Sequence, residues 1–180
     1  MILIMAGVSG TGKTTVGTLL AERLHWEFAD ADSFHPVANI AKMTAGIPLT
    51  DEDRKPWLAA LEAWMNERIA QDQSAVLACS ALKRAYRDEL IGGRPEVRMI
   101  FLSVSPEEVA RHLAARHGHF FPAKLLSTQF AALEPPQPDE TAVTVMPLGD
   151  NPADTVAAII AIVRPGEGGA ERGQSREAEA

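Results

Sequence analysis

The sequence has a single cysteine, Cys79, in 180 residues. That excludes an internal disulfide, a C-x-x-C redox pair and a cysteine-rich zinc site. It is also short of positive charge: 17 Lys and Arg stand against 24 Asp and Glu, for a net charge of −7. A basic nucleic-acid or membrane-surface protein is excluded on that balance. No apolar run approaches the roughly 18 residues a bilayer-spanning helix needs. Met1–Ala6 has no basic lead-in and runs straight into Gly7, so it reads as a strand rather than a signal peptide. The cytoplasm is the expected compartment. Internal repeats are absent. What is there is ordinary for a globular chain, with 46% hydrophobic and 23% charged residues. The length fits one domain with a core large enough to need no staples. From Pro165 on, large apolar residues stop, and Gly, Glu, Ala and Arg take over. A folded domain is therefore expected over 1–164 and a disordered tail over 165–180.

Short continuous apolar runs alternate with helical patterns along the chain. Residues 2–6, 27–30, 74–79, 97–102 and 142–146 read as strands. Runs of this kind suit strands buried on both faces. Helices are expected over 15–24, across Trp57–Ile69 with Pro56 near its start behind an acid-rich entry at Thr50–Pro56, over 81–90 ending at Gly92-Gly93, and over 105–116 behind the Ser105–Glu108 capping box. Further helices are expected over 124–133 and from Asn151-Pro152 to Val163. Such alternation means βαβ units and a parallel sheet covered on both sides.

Gly7-Val8-Ser9-Gly10-Thr11-Gly12-Lys13-Thr14 fits the phosphate-loop pattern G-x-x-x-x-G-K-S/T in full, with a strand before it and a helix, opening with Thr15, after it. Its glycines let successive backbone N–H groups turn inward around phosphate oxygens, and the helix start adds its positive dipole end. Lys13 supplies a mobile charge for the β- and γ-phosphates, and the Thr14 hydroxyl is a ligand for Mg²⁺. The motif predicts a nucleoside triphosphate but names no acceptor.

Acceptor chemistry is sought at the carboxyl ends of the other strands. Asp30 and Asp32 end the second strand. One can approach a metal or its waters while the other takes the hydrogen bond, and late in transfer the proton, of an acceptor hydroxyl. Two solvated loop acids, or a helix cap, would look the same in sequence. His35, held extended by Pro36, is either a ligand contact or a plain loop residue. Arg54 is either a bidentate clamp for a substrate carboxylate or a partner of Asp51 or Asp53. Lys83, Arg84 and Arg87 form a local basic cluster that suits an anionic acceptor, or else a solvated helix face. Cys79 reads as a small buried residue. Arg111 and Arg116 precede a glycine hinge at Gly118. Such arginines on a helical lid at about 111–125 can neutralise charge on a transferring phosphoryl group, or simply favour a helix C-terminus. His117 and His119 lack nearby acids and make a poor metal pair.

The motifs go further when taken in order. The phosphate loop is followed by Asp30-Ala-Asp32-Ser-Phe-His35-Pro36, Asn39-Ile-Ala-Lys42-Met43 and Gly46-Ile-Pro48-Leu49. After these come Asp51-Glu-Asp53-Arg54-Lys-Pro56-Trp57, Cys79-Ser-Ala-Leu-Lys83 with Tyr86-Arg87, Gly118-His-Phe120, Gln129-Phe and Leu133-Glu-Pro135. Over about residues 1–163 this series resembles the bacterial gluconokinase family, small phosphate-loop kinases related to shikimate kinase and nucleoside monophosphate kinases. The resemblance implies a P-loop NTPase fold of five parallel strands in the order 2-3-1-4-5, with helices on both faces and a helical lid. It implies transfer of the γ-phosphate of ATP to the 6-hydroxyl of D-gluconate with Mg²⁺, in the cytoplasm and often in a homodimer. By that resemblance Asp32 partners the 6-hydroxyl and Asp30 stands near the metal with Thr14. Arg54 holds the substrate carboxylate, Arg116 is the lid arginine, and His35, Lys83 and Arg87 contact sugar acid or phosphate. Ala31 departs from the glycine common between the two acids. Another small-acceptor kinase is the alternative enzyme, and a non-catalytic nucleotide switch the alternative outside enzymes.

Overall fold

The computed structural model of the chain describes residues 1–105, 107–109, 123–149 and 151–163. The expected lid residues 111–122, with Arg111, Arg116 and Gly118, lie outside the described residues, as does the tail from 165.

Five strands, β1 (Ile2–Ala6), β2 (Glu27–Asp30), β3 (Ala75–Ala78), β4 (Val97–Ser103) and β5 (Val143–Pro147), form one sheet in the order β2-β3-β1-β4-β5. All neighbours are parallel, with Ile4 opposite Leu77 on one side and Met99 on the other. Alternate side chains of the apolar strands enter two separate cores. Ile2, Ile4, Leu77, Val97 and Met99 pack on Trp57, Leu58, Leu61 and Met65 of helix α3 (Asp51–Ala70) and on Leu90 of α4 (Arg84–Ile91). Leu3, Met5, Val76, Ile100 and Leu102 pack on Val16, Leu20 and Leu24 of α1 (Lys13–Leu24) and on Val156, Ile159 and Val163 of a last helix, Pro152–Val163. Continuous hydrophobic strands are the consequence of having both faces covered. Gly17 sits where α1 meets the sheet; a Cβ there would stand 2.9 Å from the Phe28 ring, which would have to shift to make room.

Two helices differ from the sequence expectation. A 3₁₀ turn (Ala31–Phe34), capped by Asp30, and helix α2 (Val37–Thr44) follow β2, where the sequence reading gave no helix a range. α3 begins six residues before Trp57, because Thr50 and Asp53 form a reciprocal capping box: Asp53 N–H donates to Thr50 Oγ1 at 3.2 Å, and Thr50 N–H donates to Asp53 Oδ2 at 2.9 Å. Pro56 is therefore inside the helix rather than in its free first turn. The Ser105–Glu108 capping box is formed as expected. Helix α5 (Ala123–Ala132) precedes β5, and the closing helix Pro152–Val163 is α6. Among the described residues no helix is long and apolar enough to cross a membrane.

Candidate active site

The strand order reverses around β1, so the chains leaving β1 and β3 diverge and open a crevice at their carboxyl ends. The phosphate loop occupies that crevice. Gly7, Gly10 and Gly12 adopt φ of 134°, 87° and 84°, values that side chains rarely take. At Gly7 a Cβ would also stand 2.8 Å from the Leu102 carbonyl oxygen. Gly7 N–H donates to Ser80 O at 3.2 Å, which ties the loop to the exit of β3. Thr11 donates its hydroxyl to Val8 O at 2.9 Å and is fully buried, so it braces the loop from beneath. The Lys13 ammonium donates to the same carbonyl at 2.9 Å and so lies across the loop. Thr14 and Thr15 open α1 in its first turn. An open groove runs from Thr14 and Thr15 along Thr18 to Asn151 and Pro152.

Thr14 Oγ1 donates to Asp30 Oδ2 at 3.3 Å, so the hydroxyl and the carboxylate share one spot at the carboxyl end of β2. The other Asp30 oxygen accepts the Asp32 N–H at 3.0 Å, which caps the 3₁₀ turn and aims Asp32 into the crevice. Asp32 is open at the mouth, yet the surrounding walls withhold much of its hydration. Burial first, and Asp30 second, raise its carboxyl above the usual range, while His35 and Lys13 oppose the rise. Lys13 and His35 thus both act on Asp32.

His35 stacks on Trp57, ring centroids 4.7 Å apart and 11° from parallel. Burial pushes its imidazole below the ordinary range, and the Arg54 charge adds to that against the pull of Asp32. Trp57, expected only as core, also donates its indole N–H to Ala31 O at 2.7 Å and so pins the turn that carries Asp32. Asn39, buried in α2, donates to Asp53 O at 2.7 Å and lies 3.4 Å from His35 Nδ1.

Arg54 resolves its two sequence readings partly toward pairing. It donates to Leu49 O at 2.6 Å and stands 3.8 Å from Asp51, while Asp53 takes Lys42 at 2.7 Å. It remains half-buried beside His35 and over the Tyr86 ring at 5.7 Å. Lys83 donates to both oxygens of Asp51, at 2.8 and 2.9 Å, and Tyr86 donates its hydroxyl to the same carboxylate. These bonds hold the Asp51 carboxyl below its ordinary range and lift the Lys83 ammonium above its own. Asp51 and Tyr86, to which the sequence reading gave no role in the site, therefore organise its cationic wall.

Arg87 is placed elsewhere. Its side chain is fully buried on the inner face of α4, and it donates to both Glu140 oxygens at 2.6 and 2.9 Å and to the Leu82 and Glu134 carbonyls at 3.0 and 2.9 Å. Its donors are committed to the fold, so the expectation of a substrate contact is corrected to a structural role. Arg84 also turns away, onto Asp139 at 2.7 Å. Cys79 is buried, and burial pushes its thiol up to about 12, so it is no nucleophile. Arg116 falls outside the described residues.

The family model for shikimate kinase matches residues 9–131. A gluconokinase of Gluconobacter oxydans (strain 621H) is 50% identical over 143 residues, 79% of this chain and 80% of that one. The thermoresistant gluconokinase of Escherichia coli (strain K12) is 40% identical over 166 residues, 92% of this chain and 95% of that one. A solved sugar kinase from Janibacter sp. HTCC2649 superposes with a TM-score of 0.82 at 43% identity, covering 90% of this chain and 93% of that one. With a phosphate loop, an acid pair and a cationic wall on a 2-3-1-4-5 sheet, the chain belongs to the gluconokinase family, within the broader group of shikimate-kinase-like folds.

Proposed function

We propose that this chain is an ATP-dependent gluconokinase that phosphorylates the 6-hydroxyl of D-gluconate, releasing 6-phospho-D-gluconate and ADP. The observation that carries the reading is the position of Asp32. It feels Lys13 of the phosphate loop on one side and His35, backed by Arg54, on the other. A donor site and a carboxylate-binding wall thus share one general base. Family membership supplies the acceptor's identity.

In the proposed reaction the phosphate loop, residues 7–15, and its Lys13 hold the triphosphate, and the base extends along the groove toward Asn151 and Pro152. Asp32 accepts the hydrogen bond of the acceptor hydroxyl and orients its oxygen at the terminal phosphorus. The new O–P bond forms as the bond to the ADP oxygen breaks, and the proton passes to Asp32 late in transfer. The raised proton affinity of Asp32 suits that role. Arg54 and Lys83 draw the acceptor's carboxylate, exchanging part of their hold on Asp51 for it, and His35 contacts the sugar chain. Arg116 would add positive charge over the phosphates, as the family resemblance implies.

The Thr14 hydroxyl and Asp30 carboxylate form a hard oxygen pair of the kind Mg²⁺ accepts alongside phosphate oxygens and water. Bound there, the ion would offset the negative charge of the phosphates. The reading also includes the cytoplasm as compartment and a homodimer as assembly.

The test is a coupled ADP-release assay across gluconate, shikimate and nucleoside monophosphates. Gluconate is expected to have the highest kcat/KM. An equal or greater value for another acceptor overturns the assignment while leaving a kinase.

A further inference from the structure

We infer that Gln129 is a positioning residue for the phosphoryl donor: it fixes the rim of the phosphate loop at Ser9 and turns the Ser9 hydroxyl into a donor toward the terminal phosphate. The inference rests on the nucleotide half of the proposed function and is independent of which acceptor is used.

The geometry is a two-point grip across 120 residues of sequence. Ser9 N–H donates to Gln129 Oε1 at 2.6 Å, and Gln129 Nε2 donates to Ser9 Oγ at 2.9 Å. One amide thus engages the backbone and the side chain of one residue, which fixes both the loop and the Ser9 rotamer. Because Ser9 Oγ spends a lone pair on Nε2, its own hydrogen points away from Gln129. Ser9 stands between Val8, whose carbonyl already takes the Lys13 ammonium, and Gly10, whose φ of 87° turns the chain inward. The hydroxyl therefore belongs to the same anion-binding rim as Lys13.

The grip has a firm base. Phe130 and Leu133 pack with Val8 and Leu82, so α5 is seated on the loop it holds. Just beyond α5, Glu134 N–H donates to Leu82 O at 3.0 Å, and Glu134 Oε2 accepts the Arg84 N–H at 2.7 Å. The residues flanking Lys83 are thereby tied to the segment that carries Gln129. Donor loop and acceptor wall hang on one support, which sets their separation before any substrate arrives.

Equilibrium titration calorimetry with ATP and with ADP, in the presence of magnesium and without acceptor, tests the inference. Native chain, Gln129→Ala, Gln129→Glu, Ser9→Ala and the Ser9→Ala/Gln129→Ala pair are compared, each checked for folding by a thermal melt. Gln129→Ala is expected to weaken ATP binding about tenfold, the scale of losing two modest hydrogen bonds. The loss should shrink in the Ser9→Ala background, where one of the two bonds is already gone. Gln129→Glu keeps the side chain's shape but accepts the Ser9 hydrogen and adds a negative charge. It should therefore weaken ATP more than ADP, and it carries the test if Gln129→Ala folds poorly. Equal losses in both backgrounds, equal losses for ATP and ADP in Gln129→Glu, or no loss at all would overturn the inference and leave Gln129 a packing residue of α5. Failure of the native chain to bind ATP would instead sink the kinase reading.

Discussion

Replacing Arg87 by methionine separates a binding arginine from a structural one. Methionine keeps much of the side chain's length and removes its charge. In the native chain the Arg87 and Glu140 side chains are 0% and 2% exposed, and they share two hydrogen bonds at 2.6 and 2.9 Å. The Arg87 guanidinium is the main cause of Glu140 lying below the ordinary carboxylate range. Without it, a carboxylate remains in a place that offers little water, and the Leu82 and Glu134 carbonyls lose a donor. Breaking a buried pair from one side costs about 3–5 kcal/mol. That is a large share of the roughly 5–15 kcal/mol that holds a domain together. For a chain of this size 1 kcal/mol shifts the melting temperature by about 2–4 °C, so a fall of roughly 6–20 °C is expected. Removing both charges in Arg87→Met/Glu140→Leu should recover a good part of it, because the double variant leaves no orphaned charge. Circular dichroism melts give the stability, and initial rates well below the melt give the acceptor KM, which should stay within about twofold of native. An unchanged melt together with an acceptor KM raised about tenfold would refute the structural assignment and return Arg87 to the binding site.

Lys13→Ala is expected to cut phosphoryl transfer by about 10³-fold or more in an ADP-release assay, since charge on the transferring group loses its nearest cation; turnover within a few-fold of native would remove Lys13 from the mechanism. Asp32→Asn should lower kcat by about 10²–10⁴ with little change in ATP affinity, and an unchanged kcat would take Asp32 out of the chemistry. The same substitution should raise the melting temperature: because burial lifts the Asp32 carboxyl above its ordinary value, the ionised form costs stability at neutral pH, and a neutral amide removes that cost. Activity should correspondingly rise with pH through a group titrating above the ordinary carboxylate range, and that limb should vanish in no other single acid variant of the site. Asp53 has the opposite sign. The Lys42 ion pair and the Thr50 bonds hold its carboxyl at about 2, so its contribution to stability is present above the ordinary value of 3.8 and is lost as pH falls toward 2. Melts between pH 5 and about 2 should show Asp53→Asn falling less steeply than native, and parallel curves would refute the assignment.

The fold was legible where burial is symmetrical. Strands such as Ile2–Ala6 and Val97–Ser103 have both faces covered, so a plain apolar run marks them and little else competes. Helix α2 escaped because its pattern points the wrong way: Val37 and Ile40 are 83% and 47% exposed, and its one buried residue is the polar Asn39. Reading periodicity assumes that the apolar stripe meets the core, and here it meets solvent. The start of α3 was legible in the acid-rich entry Thr50–Pro56, whose Thr50 and Asp53 form the capping box.

The two halves of the site differ for a related reason. The phosphate loop is contiguous: its glycines shape the backbone, and Lys13 and Thr14 follow at fixed spacing, so spacing alone specifies the chemistry. The acceptor wall is made by pairings that cross the chain: Lys83 with Asp51, and Trp57 with Ala31. Sequence shows a cation, but what that cation does depends on which acid is folded against it. Lys83 and Arg87 stand four residues apart in one basic cluster, and the fold sends the first to the crevice and the second to the core. The difference is partly present in the sequence after all, since Arg87 shares the inward α4 face with Leu90 while Arg84 shares the outward one with Asp88. A charged residue at core spacing is a statement that a buried partner exists, and Glu140, 53 residues away, is that partner.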